Sequence, residues 1–259
     1  MKQFDYVIVG AGTAGCVLAN RLSAEAGISV LLLEAGGPYR HPMLPIPMMA
    51  GLSYFIKSTN WNYESAPEPH LDNRRIAWPR GKVLGGTSSI NGMMYIRGHR
   101  KDYDGWAESG LDGWSYDDVL PYFKRAEGNR DRRDPYHGTE GPYITERAKS
   151  NNPLYPVFLE ACRQAGHPST NDFNGAEQEG VGRQDFNTNK GRRVCSATAY
   201  LAPVKGRANL RVVTRAHATR LLFEGTRAVG VEYIEGGTGD RGGARKEARA
   251  AREVLVCGG

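Results

Sequence analysis

Two short apolar runs with an amphipathic stretch between them begin the chain. Residues 5–9 are rich in β-branched side chains, and residues 29–33 form a second apolar run that ends at Glu34. Runs of this length and composition are typical of buried strands. The apolar positions between them suit a helix that packs on a sheet, with Gly27 as its end. The pattern therefore predicts a βαβ unit of about 30 residues.

Two helices are predicted in the middle of the chain, after a long aperiodic segment. Residues 38–80 are rich in Pro, Met and aromatic residues, which predicts an excursion that covers another part of the protein. Ser115 and Asp118 resemble a weak capping box before a helix that ends near residue 127. Pro153 opens a second helix. Both helices are interpreted as structural, and the apolar face of the second holds Leu154, Val157, Phe158, Ala161 and Cys162, with Cys162 a core residue rather than a nucleophile.

The last fifth of the chain is β-rich, whereas residues 167–207 are predicted to be mainly irregular. Alternating apolar positions on both sides of residues 224–227 predict a β-hairpin there. The predicted strands are residues 210–214, 219–223, 229–233 and 254–257.

The composition is that of an ordinary globular protein, with 40% hydrophobic and 24% charged residues, and 259 residues leave one or two domains open. No apolar run approaches the ~20 residues of a membrane-spanning helix, which excludes a transmembrane protein. Glycine, at 33 residues, exceeds its usual share of about 7%. Many backbone positions are therefore expected to need unusual dihedral angles or close approach.

Half of the net charge of +6 lies in residues 239–252, which we interpret as a solvated loop. No aromatic residues interleave with this run for base stacking, so no nucleic-acid partner is predicted. The four cysteines show no zinc spacing, and no export signal precedes residues 5–9. The expected setting is the cytoplasm, with membrane association at most peripheral, at the inner membrane. The charged residues of the run are Asp240, Arg241, Arg245, Lys246, Glu247, Arg249 and Arg252.

The glycines after the first strand form a dinucleotide-binding fingerprint. In Gly-x-Gly-x-x-Gly, Gly10 permits the tight turn, Gly12 lets the backbone approach a pyrophosphate, and Gly15 allows close packing of helix and strand. Free amides at the helix N-terminus suit the negative charge. Glu34 follows at the distance expected of the residue that accepts hydrogen bonds from the adenosine ribose. The unit fits FAD and NAD equally, and NADP least, because Glu34 disfavours a 2′-phosphate.

A second glycine cluster lies in residues 80–95. Gly85-Gly86, three hydroxyl residues and Asn91-Gly92 follow closely after Arg80 and Lys82. Backbone amides, hydroxyls and cations together suit an anionic or multiply polar ligand. A purely structural loop is the alternative.

The two clusters together carry a resemblance to a known family. The sequence GAGTAG at residues 10–15 and RGKVLGGTSSINGMMYIRGHRKDYDGW at residues 80–106 are similar to the glucose-methanol-choline family of FAD-dependent oxidoreductases, and most similar to its choline dehydrogenase and FAD-linked alcohol dehydrogenase branch. The similarity continues through residues 137–142, 172–175, 209–214 and 253–259.

The resemblance implies an α/β fold: a Rossmann-like FAD-binding domain of three-layer ββα type interleaved with part of an α+β substrate or cap domain. It implies FAD-binding βαβ residues 1–37, lid and flavin-contacting residues 38–110, cap residues 111–207, and a return to the FAD-binding domain at 208–259. Since the family pattern continues beyond residue 259, we expect an N-terminal fragment of a longer enzyme.

The resemblance also implies which residues hold FAD. Some family members attach the flavin through a histidine after the Ser-Ser pair, but Ile90 stands there, so non-covalent FAD is expected. The backbone near Ala218 is expected at the adenine. The predicted cofactor-binding residues are Gly10, Gly12, Thr13, Ala14, Gly15, Glu34, Ala35, Arg80, Gly81, Val83, Gly86, Thr87, Asn91, Gly92, Met93, Met94 and Ala218.

The implied reaction is oxidation of a small-molecule alcohol, choline or another, by hydride transfer to FAD. In the family the base is a C-terminal histidine, and no segment here matches that context, so no catalytic residue and no metal ligand are predicted. His99 is expected in a packing or loop role, His137 begins a Gly-Pro turn, and His217 adjoins a strand. Trp61, Tyr63 and Trp78 are interpreted as packing or lid residues rather than a choline pocket. Oxygen, a quinone and a carrier protein stay open as electron acceptors, and a non-catalytic flavin-binding fragment and an NAD-dependent Rossmann dehydrogenase stay open as alternative functions.

Overall fold

The chain folds into two units in the computed structural model, which describes residues 2–149, 151–236 and 242–259. Unit 1 comprises Met1–Gly92 and Cys195–Gly259, and unit 2 comprises Met93–Val194. The divisions therefore fall at 92/93 and 194/195, whereas the sequence placed them at 110/111 and 207/208. The roles assigned to those segments stay predictions.

The secondary structure consists of short helices and strands of very unequal length. The helices are α1 (Thr13–Leu22), α2 (Ala50–Ser53), α3 (Arg100–Glu108), α4 (Tyr116–Ala126) and α5 (Leu154–Gln164). The strands are β1 (Lys2–Val9), β2 (Val30–Glu34), β3 (Tyr63–Glu64), β4 (Ala77–Trp78), β5 (Met94–Tyr95), β6 (Glu127–Asn129), β7 (Tyr143–Arg147), β8 (Asp185–Phe186), β9 (Thr188–Asn189), β10 (Arg192–Arg193), β11 (Leu210–Thr214), β12 (Ala216–Glu224), β13 (Arg227–Glu235) and β14 (Ala244–Val256).

Unit 1 is built on a six-stranded sheet in the order β11-β2-β1-β14-β13-β12. The first four strands run parallel, and β13 and β12 complete the sheet as an antiparallel hairpin. All five residues of β2 are buried, as expected for a strand covered on both faces. The predicted α/β class, the βαβ unit and the hairpin at residues 224–227 are confirmed. The core of the sheet is formed by Val7, Leu31, Leu33, Val213, Ala216, Val231, Tyr233, Ala248 and Ala250.

Helix α1 ends at Leu22, five residues before the predicted end at Gly27. The side chain of Asn209 donates hydrogen bonds to the carbonyls of Ser23, Glu25 and Ile28. These carbonyls are thus satisfied by a side chain from just before β11 instead of by further helical turns. The predicted end of the helix at Gly27 was wrong, and the loop that follows Leu22 bonds to a residue far along the chain.

The basic run at residues 239–252 was wrongly interpreted as a loop, because residues 244–256 form β14. Two of its cations pair with acids on the neighbouring strand β13: Lys246 with Glu235 at 2.6 Å and Arg245 with Glu232 at 2.9 Å. These cross-strand pairs keep a charged strand at the surface of a sheet. Of the residues named for this run, Asp240 and Arg241 lie outside the described part of the chain.

Unit 2 contains a four-stranded sheet in the order β5-β8-β7-β6. Helix α4 begins with the predicted capping box, in which the Ser115 hydroxyl accepts from the Asp118 amide and the Asp118 carboxylate accepts from the Ser115 amide. Helix α5 also forms at the predicted place, but its apolar face is not core. Leu154 and Phe158 are 69% and 61% exposed, and Cys162 is only half-buried. No helix in the described ranges is long and apolar enough to cross a bilayer.

Candidate active site: a dinucleotide cavity in unit 1

The fingerprint turn follows β1 directly and is closed by short backbone contacts. Gly10 has φ of +93°, and its amide donates to the Leu33 carbonyl at 2.8 Å. A Cβ on Gly10 would lie 2.4 Å from the carbonyl oxygen of Cys257, and one on Gly15 would lie 1.9 Å from that of Gly10. Only glycine therefore fits these two positions. Gly15 has the packing role that the fingerprint assigns to it.

Glu34, at the end of β2, braces this turn. Its Oε2 accepts a hydrogen bond from the Ala11 amide at 2.9 Å, and its Oε1 accepts one from the Gly36 amide at 2.8 Å. Burial raises the pKa of the Glu34 carboxyl, while these two amides and the charge of Lys82 act in the opposite direction. A carboxylate has about four lone-pair positions, so two amides leave capacity for a ribose hydroxyl.

The second glycine cluster meets the fingerprint turn, as two backbone contacts show. The Gly85 amide donates to the Ala11 carbonyl at 2.8 Å. Gly86 has φ of +55°, and a Cβ there would lie 2.7 Å from the Cα of Gly12. The two glycine clusters, distant in sequence, therefore form one continuous backbone surface.

This surface borders a cavity of about 770 Å³ in unit 1. Eleven of the predicted cofactor-binding residues lie in its wall. Aromatic residues and the segment after β14, which the sequence did not assign to the site, complete it. The predicted residues in the wall are Gly10, Gly12, Thr13, Ala14, Glu34, Ala35, Arg80, Gly81, Gly86, Thr87 and Ala218; the others are Val9, Trp61, Tyr63, Trp78, Ala216, His217, Cys257, Gly258 and Gly259.

Aromatic rings form one side of the cavity. Trp61 stacks on Tyr63 with ring centroids 5.8 Å apart, and His217 meets Trp61 edge to face at 5.6 Å. The ammonium of Lys82 lies 4.3 Å from the centre of the Trp61 ring. Trp61, Tyr63 and Trp78 come from the aperiodic segment 38–80, so the composition of that segment was the available signal. For His217 no signal in the sequence distinguished a cavity residue from an ordinary strand residue.

The remaining predicted residues are not among those that line the cavity. Val83 and Ile90 are fully buried in a small core with Leu44, so an aliphatic side chain packed in a core occupies the position where a covalent histidine attachment would stand. The Asn91 amide bonds to the Thr87 carbonyl at 2.9 Å. The last three predicted residues are Gly92, at the end of the first segment of unit 1, and Met93 and Met94, which open unit 2.

The cavity fits a dinucleotide with a pyrophosphate, such as FAD. A Cβ on Gly12 would meet no atom within 4 Å, so the backbone at this position faces open space where a phosphate can approach. The first turn of α1 leaves amide donors without helical partners, and Arg80 adds a positive charge at the wall. The ring nitrogen Nδ1 of His217 is buried without a hydrogen-bond partner in the described structure.

His137 and His99 have structural surroundings in unit 2. His137 Nδ1 lies 3.0 Å from Glu127, and its Nε2 lies 2.9 Å from Asp172. Burial alone would lower the pKa of His137, but the hydrogen bonds and charges of Asp172 and Glu127 outweigh it and raise the pKa to about 9. The His99 side chain caps α3 by accepting from the Lys101 amide, which agrees with its expected loop role.

Asp134, His137 and Asp172 form a group whose ligand atoms lie within 4.8 Å of one another. With carboxylates at both ring nitrogens, His137 is a cation at neutral pH and has no lone pair for a metal ion. We therefore interpret the group as part of a buried ion-pair network.

A Rossmann-type sheet, a glycine fingerprint with its acidic partner and a second glycine cluster on one cavity define a dinucleotide-binding protein. The family model for GMC oxidoreductase matches residues 4–259, and the chain belongs to this family of FAD-dependent alcohol oxidoreductases.

Individual relatives agree with the family. The chain is 51% identical to the oxygen-dependent choline dehydrogenases of Pseudomonas syringae pv. tomato and Chromohalobacter salexigens, over 100% and 99% of its length. It spans 46% of each of these relatives. Among solved structures it is similar to pyridoxine 4-oxidase from Mesorbium loti, with a TM-score of 0.90 and 33% identity over 99% of this chain and 49% of that one. Formate oxidase of Aspergillus oryzae RIB40 gives a TM-score of 0.87 at 27% identity over 98% and 45%.

Proposed function

We propose that this chain supplies the FAD-binding part of an enzyme that oxidises a primary alcohol. The observation that carries the proposal is the meeting of the two glycine clusters: the Gly85 amide bonds to Ala11, and both clusters lie in the wall of one cavity. An NAD-dependent Rossmann enzyme needs only the first cluster, so that alternative gives the second no role.

Different residues of the chain bind different parts of the cofactor. The amides of Gly12, Thr13 and Ala14 hold the pyrophosphate at the N-terminus of α1. Glu34 and Ala35 bind the adenosine ribose, and the backbone at Ala218 binds the adenine.

The second glycine cluster, which includes Met93 and Met94 in the sequence, binds the flavin end of the cofactor. Arg80 contributes positive charge there, and Gly81 and Gly86 permit close approach of the backbone. Gly81, whose amide donates to the Thr87 hydroxyl at 3.1 Å, holds that side chain in place. Bound FAD supplies the acceptor for the hydride of the alcohol. FAD is held non-covalently, because Ile90 stands where other members carry a histidine.

The relatives support a substrate class and an electron acceptor. Two relatives named oxygen-dependent choline dehydrogenase support choline as the alcohol and oxygen as an acceptor. The proposed location is the cytoplasm. No histidine of this chain is assigned as the base that takes the hydroxyl proton.

Titration of the purified apoprotein with FAD, and separately with NAD, tests the proposal. We expect FAD to bind, with its fluorescence changed, and NAD to bind at least about tenfold more weakly, a difference of about 1.4 kcal/mol. Acid precipitation should release all flavin into the supernatant. A folded chain, verified by circular dichroism, that binds NAD and not FAD would refute the proposal; flavin retained on the precipitated polypeptide would refute non-covalent attachment.

A further inference from the structure

Strand β12 forms one edge of the six-stranded sheet of unit 1, and its outer side is unpaired in the part of the chain that the structure describes. The strand pairs with β13 on its inner side. No backbone hydrogen bond joins residues 216–224 to any other described segment. An open strand edge presents a row of backbone donors and acceptors, which can pair with a further strand.

Residues 220–224 are the regular part of this edge. A β-bulge interrupts the pairing of β12 with β13 between Ala218 and Arg220, where Thr219 is the extra residue. From Arg220 to Glu224 every residue of β12 has a partner on β13. Ala218, the residue expected at the adenine, precedes the bulge. The cofactor and a further strand therefore use different parts of β12.

The side chains of this segment are apolar in the middle and oppositely charged at the ends. Arg220 and Glu224 are the end residues, and each of these side chains is 65% exposed. Between them lie Leu221, Leu222 and Phe223, of which the phenylalanine is 57% exposed. A large apolar side chain on an open strand edge favours association with another strand. The opposite charges at the two ends favour a second copy of the same strand in antiparallel orientation.

The charges also select one register for such a pair. When two identical strands pair antiparallel around a two-fold axis, one residue lies opposite its own copy. A register centred on Leu222 aligns all five regular residues, with Arg220 opposite Glu224 at both ends and Leu221 opposite Phe223. Opposite charges directly across two strands stabilise the pair, as do contacts between aromatic and aliphatic side chains. A centre at Leu221 sets Arg220 opposite Leu222, and a centre at Phe223 sets Glu224 opposite Leu222.

We propose that residues 220–224 are the interface of a homodimer, in which the β12 strands of two copies pair antiparallel around Leu222 and join their sheets into one. Because each copy has a single β12 edge, this association closes at two copies. Five residue pairs form an interface at the small, weak end of the known range, so we expect a dissociation constant on the order of 10–100 μM. The inference goes beyond the proposed function, since it does not depend on FAD.

The first experiment uses charge reversal and complementation. Sedimentation velocity measures dimer formation by the wild-type chain, by Arg220→Glu and by Glu224→Arg, at concentrations that bracket this dissociation constant. Each variant alone sets like charges opposite one another at both ends of the strand pair, whereas a mixture of the two sets opposite charges there. Arg163→Glu is the matched control, because Arg163 is also 65% exposed and also pairs with a glutamate of its own chain. Circular dichroism verifies that each variant is folded.

We expect each reversal of a β12 charge to weaken dimerisation at least about tenfold, because like charges directly opposite destabilise a strand pair. An equimolar mixture of Arg220→Glu and Glu224→Arg should recover the dimer, and Arg163→Glu should dimerise like the wild type. A wild-type chain that stays monomeric overturns the proposal and leaves this edge to a strand of another protein. Folded variants that dimerise like the wild type, or that fail to complement each other, also overturn it.

A cross-linking experiment tests the register without changing any charge. In the proposed dimer Leu222 lies opposite its own copy, whereas Thr226, an exposed residue after the end of β12, lies four residues from the centre. Mild oxidation should therefore link Leu222→Cys into a covalent dimer much faster than Thr226→Cys or the wild-type chain. Equal rates for the two variants overturn the register. FAD binding by the same samples reports on the proposed function separately.

Discussion

The carboxylate of Glu34 accepts a hydrogen bond of 2.9 Å from the backbone amide of Ala11, in the middle of the fingerprint turn. The residue that the fingerprint predicts for the ribose thus also holds the turn for which we propose the pyrophosphate. Ala11 and Gly36 are both buried, so neither amide that Glu34 satisfies has ready access to water. We therefore expect cofactor binding and the folding of unit 1 to be coupled at this side chain.

Glu34→Gln should weaken both properties. The amide side chain keeps one acceptor oxygen and turns an NH₂ group toward the amide of Ala11 or Gly36, so one backbone donor faces another. We expect a loss of about 1–3 kcal/mol in the free energy of unfolding and weaker FAD binding. Urea denaturation with and without FAD measures both. Glu25→Gln, at an exposed acid, is the control and should change stability by less than about 0.5 kcal/mol. Equal stability of the two variants would show that the two hydrogen bonds accepted by Glu34 do not stabilise the turn.

Two alanine substitutions in the fingerprint should have different effects. Gly15→Ala places a Cβ 1.9 Å from the Gly10 carbonyl oxygen, and we expect the apoprotein to lose about 3 kcal/mol of stability. Gly12→Ala places its Cβ in open space, so the apoprotein should lose about 1 kcal/mol or less, while FAD binding falls at least about tenfold because the methyl group occupies the place of the phosphate. Thermal unfolding and FAD titration separate the two effects. Unchanged FAD affinity in Gly12→Ala would exclude this turn as the pyrophosphate site.

Glu127 is expected to be the most sensitive acid in unit 2. It is fully buried and accepts hydrogen bonds from Arg97 at 2.7 Å and from Thr145 at 3.0 Å, beside its contact with His137. Glu127→Gln leaves the Arg97 cation buried without its counter-charge, which should cost about 3–5 kcal/mol of unfolding free energy. The exposed pair of Glu160 and Arg163 provides the control, and Glu160→Gln should cost less than about 1 kcal/mol. Similar losses in both variants would show that burial of the network does not matter.

The stability of the protein should fall at alkaline pH because of His137. Its pKa is raised from 6.5 to about 9, because the folded state favours the protonated imidazole. This stabilisation of the folded state is fully present below pH 6.5, and it is lost as the pH rises through about 9. The expected contribution is on the order of 3 kcal/mol, at about 1.4 kcal/mol for each pKa unit. The difference in unfolding free energy between wild type and His137→Gln, measured from pH 6 to 10, should shrink across this window. A constant difference would mean that His137 does not titrate there.

Local signals explain why much of the fold could be predicted from the sequence. The βαβ unit, the hairpin at residues 224–227 and the capping box of α4 each depend on residues close together in the chain. The end of α1 could not be predicted in this way, since the loop that follows it bonds to Asn209, which lies far along the chain. The same holds for β14, whose charges are compensated from β12 and β13.

The residues of the candidate site also fall into two groups, those that a local sequence signal identifies and those that it does not. Glycines with fixed spacing can be recognised in the sequence, and Gly10, Gly12 and Gly15 lie in the turn after β1 and the first turn of α1. The aromatic wall could not be predicted, because Trp61 and His217 meet only after the sheet has formed. A contact between distant residues leaves no periodicity in either segment.

Strand β14 also sets an order of events during synthesis. It pairs with β1 along most of the length of that strand, from Lys2 opposite Ala248 to Val9 opposite Val256. About 240 residues separate the two strands, so at roughly 5–20 residues per second one edge of β1 stays open on the ribosome for roughly 12–50 s. Gly10 meets its Cys257 contact only after that delay. The nascent chain therefore completes the wall of this cavity late, and until then the edge of β1 that β14 later covers is open to pairing with other chains, because β2 pairs with the opposite edge.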